Sequence, residues 1–384
     1  MKVGLCACYS NRNYGSMLQS YASQIAIEHL GHDCEMVRYK KQYSGLQLLR
    51  QVPRLFNGAN VKKIKGRRDQ KKAAAAYPAI ERQRAYRRAC FDRYRDDTFT
   101  SLSPEFVGYD ALKKGSERYD AVVVGSDQLW LPMGLPTNFY NLQFAAPGVR
   151  RVSYATSFGV SQIPWYQKGR TADYLRKLDY LSVREERGAQ ICREVAGVDA
   201  KVVVDPTLLL TRDEWLTAVP ERRIIEEPYI FCYFLGANQL CRDEARLASA
   251  EMGLPIVTLR HLDSIIPSDE TFGEYAPYDA DPAGFINLIR GAEYVLTDSF
   301  HGTVFSTIHH KRFATFYRFA NADRQSRNSR IDSLFSNLGL QNRLITKSDS
   351  ATAALVADVD FAAVDERLAV WRADSWGFLN ESLS

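Results

Sequence analysis

A histidine that opens a helix directly after an apolar strand is the residue in this sequence best suited to proton chemistry. The run Thr297-Asp298-Ser299-Phe300-His301-Gly302-Thr303 follows Tyr294–Leu296 and leads into a helix-like stretch. An imidazole exchanges protons near neutral pH. Backbone amides at a helix start favour anions, here those at Gly302–Thr303. His301 is therefore the candidate proton donor, with Ser299, Gly302 and Thr303 beside it as ligand-binding groups. Three further strand ends carry comparable chemistry. Asn13, Gly15 and Ser16 open another helix and suit an anion or a hydroxyl, although ordinary N-capping explains Ser16 equally well. Gly125-Ser126-Asp127-Gln128-Leu129-Trp130 ends a strand with glycine and then brings an acid, an amide and an aromatic ring together. A sugar site needs those types: the Trp130 ring to stack on a pyranose face, Asp127 and Gln128 to bind hydroxyls. The alternative is Asp127 capping a turn with Trp130 in the core. Arg184, in Ser182-Val183-Arg184-Glu185, could clamp a carboxylate or phosphate through two parallel hydrogen bonds. It could equally form a structural pair with Glu185 or Asp205.

The elements that must position these residues alternate strand and helix. Residues 2–9 read as a buried strand, followed by a loop, a helix ending at Gly31 and a second strand at 32–39, which is a βαβ unit. The turn holds only Gly15 and lacks the G-x-G-x-x-G of dinucleotide binding. From about 44 to 99 the pattern becomes a basic, helical insertion, after which the α/β alternation resumes. Thr211–Pro228 is polar and proline-bearing and suits a linker. The expected organisation is a Rossmann-like domain over 1–212, a second over 213–350, and a C-terminal helix at 355–384 that crosses back to the first.

Composition narrows the classes. With 384 residues the chain exceeds one ordinary core. The net charge is +5, yet Arg50–Arg95 alone holds 15 Lys/Arg against Asp69, Glu81 and Asp92. The rest is mildly acidic, which argues against a nucleic-acid binder with a broad basic face. The insertion, with Tyr86, Phe91, Tyr94 and Phe99 among arginines, reads either as a helix with one packed face or as a basic element meeting an anionic membrane. The N-terminal apolar stretch is too short for a signal peptide, and no segment reaches the ~20 apolar residues of a membrane span. The expectation is a cytoplasmic protein, with the basic segment as the element that could meet the inner face of the membrane. Seven scattered cysteines read as buried thiols rather than as a metal site.

These motifs, in this order, resemble the polysaccharide pyruvyl transferases. The likeness rests on Asn13–Gln19 (N-Y-G-S-x-L-Q), Gly125–Trp130 (G-S-D-Q-x-W), Ser153–Gly159 (S-Y-A-x-S-F-G), Ser182–Glu185 (S-V-R-E), Asp205–Thr207 (D-P-T), Thr297–Gly302 (T-D-S-F-H-G) and Asn328–Ile331 (N-S-R-I). It implies an α/β fold with two Rossmann-like domains in a glycosyltransferase-B-like arrangement, acceptor side first and donor side second, with the site in the interdomain cleft. It implies phosphoenolpyruvate as donor, a lipid-linked oligosaccharide as the sugar acceptor, a ketal product, and neither metal nor other cofactor. The family histidine falls on His301 and the arginine of the S-V-R-E stretch on Arg184. Where many members carry an arginine two residues before the histidine, this chain has Ser299. Arg330 is the candidate substitute, with Arg327 and Arg318 behind it. Two other readings stay open: a nucleotide-sugar glycosyltransferase on the same scaffold, and a non-catalytic glycan-binding relative.

Overall fold

Short runs of buried aliphatics, bounded by polar turns, become the strands of two parallel sheets. The computed structural model describes residues 1–42, 77–132, 138–261, 266–319, 328–346 and 349–384. In chain order the strands are β1 (Lys2–Cys6), β2 (Asp33–Met36), β3 (Tyr39–Lys40), β4 (Phe106–Val107), β5 (Ala121–Val124), β6 (Arg150–Thr156), β7 (Tyr180–Val183), β8 (Lys201–Val202), β9 (Ile230–Tyr233), β10 (Ile256–Thr258), β11 (Tyr294–Thr297), β12 (Arg312–Phe316) and β13 (Leu344–Ile345). The first sheet runs β2-β1-β5-β6-β7-β8 and the second β10-β9-β11-β12-β13, while β3 and β4 form a separate pair. Every pairing is parallel, from Val3↔Ala121 in the first sheet to Thr297↔Tyr233 in the second.

Strand order locates the site. In each sheet the first strand sits between the second and the third large strand, so the chain leaves it in opposite directions. Ligands of open α/β sheets bind beyond the strand carboxyl ends at such a switch point. The first falls between β1 and β5, where Asn13, Ser16 and Asp127 lie. The second falls between β9 and β11, where the loop to His301 begins.

The two halves share an aromatic core. Tyr14, first residue of the helix Tyr14–His29, stacks on Phe285 at 4.8 Å and donates its hydroxyl to the Ala280 carbonyl at 2.9 Å. The segment expected as a linker contains the helix Arg212–Ala218, started by a reciprocal Thr211–Glu214 capping box. Its Trp215 is fully buried between Tyr21 of the first half and Phe305 of the second. The final helix, Phe361–Leu383, lies on the first sheet, where Ser375 accepts the Val204 amide at 3.0 Å and Phe378 packs near Tyr154 and Tyr180.

Of the basic insertion, residues 43–76 lie outside the described residues; the remainder forms the helix Pro78–Thr98. One face of this helix is spent on the second half of the chain. Arg87, 2% exposed, donates to the carbonyls of Arg260 and Pro277 at 2.6 Å each. Phe91 packs on Tyr14. Of the two sequence readings, this part of the insertion takes the packed helix face. No helix among the described residues is long and apolar enough to cross a membrane.

Candidate functional site

The two switch points enclose a cavity of about 280 Å³. From the first domain Cys8, Asn13, Gly15, Ser16, Asp127 and Gln128 line it; from the second come Ser299, Phe300, His301, Arg318 and Arg330. Residues separated by about 300 positions thus meet in one pocket.

Asp127 directly follows the β5 end and has φ 79°, a left-handed conformation uncommon for a residue with a side chain. Its carbonyl holds it there by accepting the amides of Leu129 and Ser157 at 2.9 Å. The carboxylate accepts the Ser16 hydroxyl at 2.7 Å and the Gln128 amide at 2.8 Å, and Arg184 stands 3.9 Å away. Burial alone would raise its pKa, but Arg184, His301, Ser16 and Arg330 together lower it. Asp127 is an anion at neutral pH, free to orient hydroxyl groups or accept a proton.

His301 lies in the first turn of the helix Phe300–Ile308. Its ring is 7% exposed. Among the described residues Nε2 has no hydrogen-bond partner, and it stands 3.7 Å from Asp205. Nδ1 lies against Gly15, where a Cβ would sit 2.0 Å from it. Glycine is required at that position because the first helix and the imidazole approach so closely. Asp205 follows β8 and caps the short helix Pro206–Leu209, accepting both the amide and the hydroxyl of Thr207. Its other oxygen accepts Arg184 at 2.6 Å and Ser126 at 2.9 Å. Burial opposes ionisation, yet His301, Arg184 and Thr207 hold the carboxyl far below its ordinary range. A permanent anion beside Nε2 fixes the ring's orientation.

Cations complete the pocket. Arg330 opens the helix Ser329–Leu338, is 8% exposed and lies 5.8 Å from the Phe300 ring. Burial, then Arg184 and Arg318, lower its pKa to about 9, against the pull of Glu185 and Asp127. Arg318, just after β12, donates to the Asp298 carbonyl at 3.0 Å. The Asp298 carboxylate in turn accepts the amides of Leu235 and Gly236. Guanidiniums held this close in a dry site repel one another, and a bound anion relieves that repulsion.

Several sequence expectations need correction. Arg184 does not line the cavity: it is fully buried behind it, paired with Asp205 and stacked 4.4 Å from Phe300. Its Nη1 is spent on Asp205, while Nε and Nη2 have no hydrogen-bond partner among the described residues. Gly302 and Thr303 cannot offer amides, because the Ser299 hydroxyl and carbonyl already accept them at 3.3 and 3.0 Å. The amides of Phe300 and His301, just before them in the same turn, have no partner among the described residues. Ser299 lines the cavity as this helix cap. The Trp130 ring is buried against Phe158 and Tyr174, its Nε1 donating to the Tyr140 carbonyl, and it does not line the cavity. Arg327 lies outside the described residues. Asn13, Ser16, Asp127, Gln128, His301 and Arg330 are brought together.

Sequence reasoning missed Asp205 as the partner of His301. The signal was present, since Asp-Pro-Thr after an apolar run is a strand end followed by a cap and a first-turn proline. It also missed Glu185 as a site feature. That carboxyl is buried, accepts Ser157 through one oxygen and has no partner on the other among the described residues, and burial raises its pKa despite Arg184. No group of three or more His, Cys, Asp or Glu is gathered as metal ligands among the described residues. All seven cysteines are buried free thiols.

Two parallel α/β sheets with facing switch points enclose a pocket that carries arginines and an imidazole. A family model described as polysaccharide pyruvyl transferase matches residues 13–318, and the chain belongs to that family. No curated protein matches it. Among solved structures it is similar to UDP-GlcNAc 2-epimerase from Methanocaldococcus jannaschii, at 12% identity over 96% of this chain and 93% of that one, with a TM-score of 0.46. A putative UDP-N-acetylglucosamine 2-epimerase from Listeria monocytogenes gives 12% identity over 99% and 91%, TM-score 0.49. The Neisseria meningitidis UDP-GlcNAc 2-epimerase gives 10% over 100% and 99%, TM-score 0.48.

Proposed function

We propose that this transferase moves pyruvate from phosphoenolpyruvate to two hydroxyls of one sugar, forming a cyclic ketal. The carrying observation is the meeting of His301, Arg318, Arg330 and the anionic Asp127 in one small cavity. Phosphoenolpyruvate bears a carboxylate and a phosphate within a few bonds. Arg330, Arg318 and the free amides of Phe300 and His301 suit those two anions. A proton delivered to the methylene carbon leaves an oxocarbenium-like centre, and a sugar hydroxyl adds there as it loses its proton. Phosphate departs with the C–O bonding pair, and the second hydroxyl closes the ring as its proton passes to the released phosphate. His301, oriented by Asp205, is the proton donor. Asp127, already an anion, orients the acceptor or takes the hydroxyl proton, with Asn13, Ser16 and Gln128 beside it. The scheme requires no metal or other cofactor.

Calorimetric titration with phosphoenolpyruvate, set against UDP-sugars, tests the reading, together with phosphate release over a panel of free and lipid-linked sugars. Binding of phosphoenolpyruvate and sugar-dependent phosphate release are expected. Binding of UDP-sugars alone would instead mark a glycosyltransferase.

A further inference from the structure

An anion cradle at the second switch point is filled from within. The chain leaves β9 through Phe234-Leu235-Gly236 and then enters the helix Gln239–Met252. The amides of Leu235 and Gly236 both donate to the Asp298 carboxylate, at 2.7 Å to Oδ1 and 2.8 Å to Oδ2. The approach needs glycine: a Cβ at residue 236 would stand 2.9 Å from Oδ2. Asp298 directly follows β11 and is buried, and Arg318 Nη2 stands 3.5 Å from Oδ1. Two successive main-chain N–H groups and a guanidinium are the parts of a phosphate site. The turn after the first strand at such a switch point is also where a nucleotide places its diphosphate. Here an internal carboxylate takes that place. Leu235, Ser299 and Arg318 line the candidate cavity, so the filled cradle borders it. The remaining volume, about 280 Å³, falls just short of the roughly 300–1,000 Å³ of pockets for larger ligands.

We infer that Asp298 is a specificity-determining residue: its carboxylate occupies the diphosphate position of the second domain, so the site admits a three-carbon donor and rejects a diphosphate. The donor is that of the proposed function; the exclusion is tested without it. Calorimetry of the full chain with inorganic pyrophosphate and, separately, with phosphoenolpyruvate compares wild type, Asp298→Ala and Asp298→Asn. Unfolding midpoints are recorded with and without pyrophosphate. Asp298→Ala frees two amides and the nearby face of Arg318. It should bind pyrophosphate at least about tenfold more tightly than wild type, as two charge-assisted hydrogen bonds give. Pyrophosphate should then raise the midpoint of the variant more than that of the wild type. Asp298→Asn keeps the volume and loses the negative charge, so it should show a smaller gain, and it decides the matter if Asp298→Ala does not fold. Lost packing alone would weaken both ligands and give no gain. If the variants gain pyrophosphate while no form of the protein binds phosphoenolpyruvate, the role of Asp298 stands and the donor reading falls. Wild-type affinity for pyrophosphate equal to that of the variants, or no gain in any folded variant, overturns the inference.

Discussion

Gly15→Ala is the smallest change that separates the position of His301 from the stability of the fold. Residue 15 is in the first turn of the helix Tyr14–His29, where alanine is at least as good a helix former as glycine. A Cβ there would lie 2.0 Å from Nδ1 and 2.5 Å from Cγ of His301. Ordinary contact begins near 3.4 Å, so the ring must retreat by more than 1 Å. Buried Asp205 stands 3.7 Å from Nε2, which leaves rotation out of the reacting position as the route. A misplacement of about 1 Å costs on the order of 100-fold in rate. Steady-state phosphate release from phosphoenolpyruvate should therefore fall by about that factor, approaching His301→Ala, for which loss of general acid catalysis predicts ~10²–10⁴-fold. The thermal unfolding midpoint should move by no more than about 4 °C, the equivalent of ~1 kcal/mol in a domain of this size. Wild-type turnover in Gly15→Ala would refute the assignment of a fixed imidazole to the reaction.

Other expectations follow from the same geometry. Because burial and neighbouring arginines disfavour an uncompensated charge on Arg330, a bound anion is favoured there, and Arg330→Met should weaken phosphoenolpyruvate affinity by about tenfold or more. Calorimetry reads this, and an unchanged affinity would contradict it. Asp205→Asn should destabilise the fold by about 3–5 kcal/mol by leaving the Arg184 charge buried and unpaired, and adding Arg184→Met should recover part of the loss. Denaturant unfolding checks both, and a single-variant loss below about 1 kcal/mol would show the pair to be unimportant. The Asp205 pKa is depressed by folding, so its stabilisation is present above about pH 4, the ordinary carboxyl range, and drains away as pH falls below it. Arg87→Met keeps the packing stem but removes two bonds to carbonyls of the second half, each worth about 1.5–3 kcal/mol. A lowered unfolding midpoint in denaturant is expected; an unchanged one would show that the helix Pro78–Thr98 does not brace the cleft.

Much of this protein is determined by local sequence. Val122–Val124 or Ile230–Tyr233 can only be buried strands, and Gly197, Gly253 and Gly339 end their helices at left-handed turns. Polar residues directly after such strands point to strand-end chemistry, which is why Asp127 and His301 stand out before any coordinates. Which of those residues meet was settled only by tertiary structure. Trp130 reads as a sugar platform because its neighbours are polar, yet packing between Phe158 and Tyr174 turns it inward. Arg184 reads as a ligand clamp, but the 2.6 Å bond to Asp205 requires β7 and β8 to be adjacent. Gly302 and Thr303 read as open amides until the Ser299 cap consumes them. Hydrophobic period and turn chemistry act over a few residues and are written in the chain. The partner of a buried charge is set by which strand lies alongside which, over separations of 21 residues for Arg184–Asp205 and 111 for Ser16–Asp127, and no local rule carries that information.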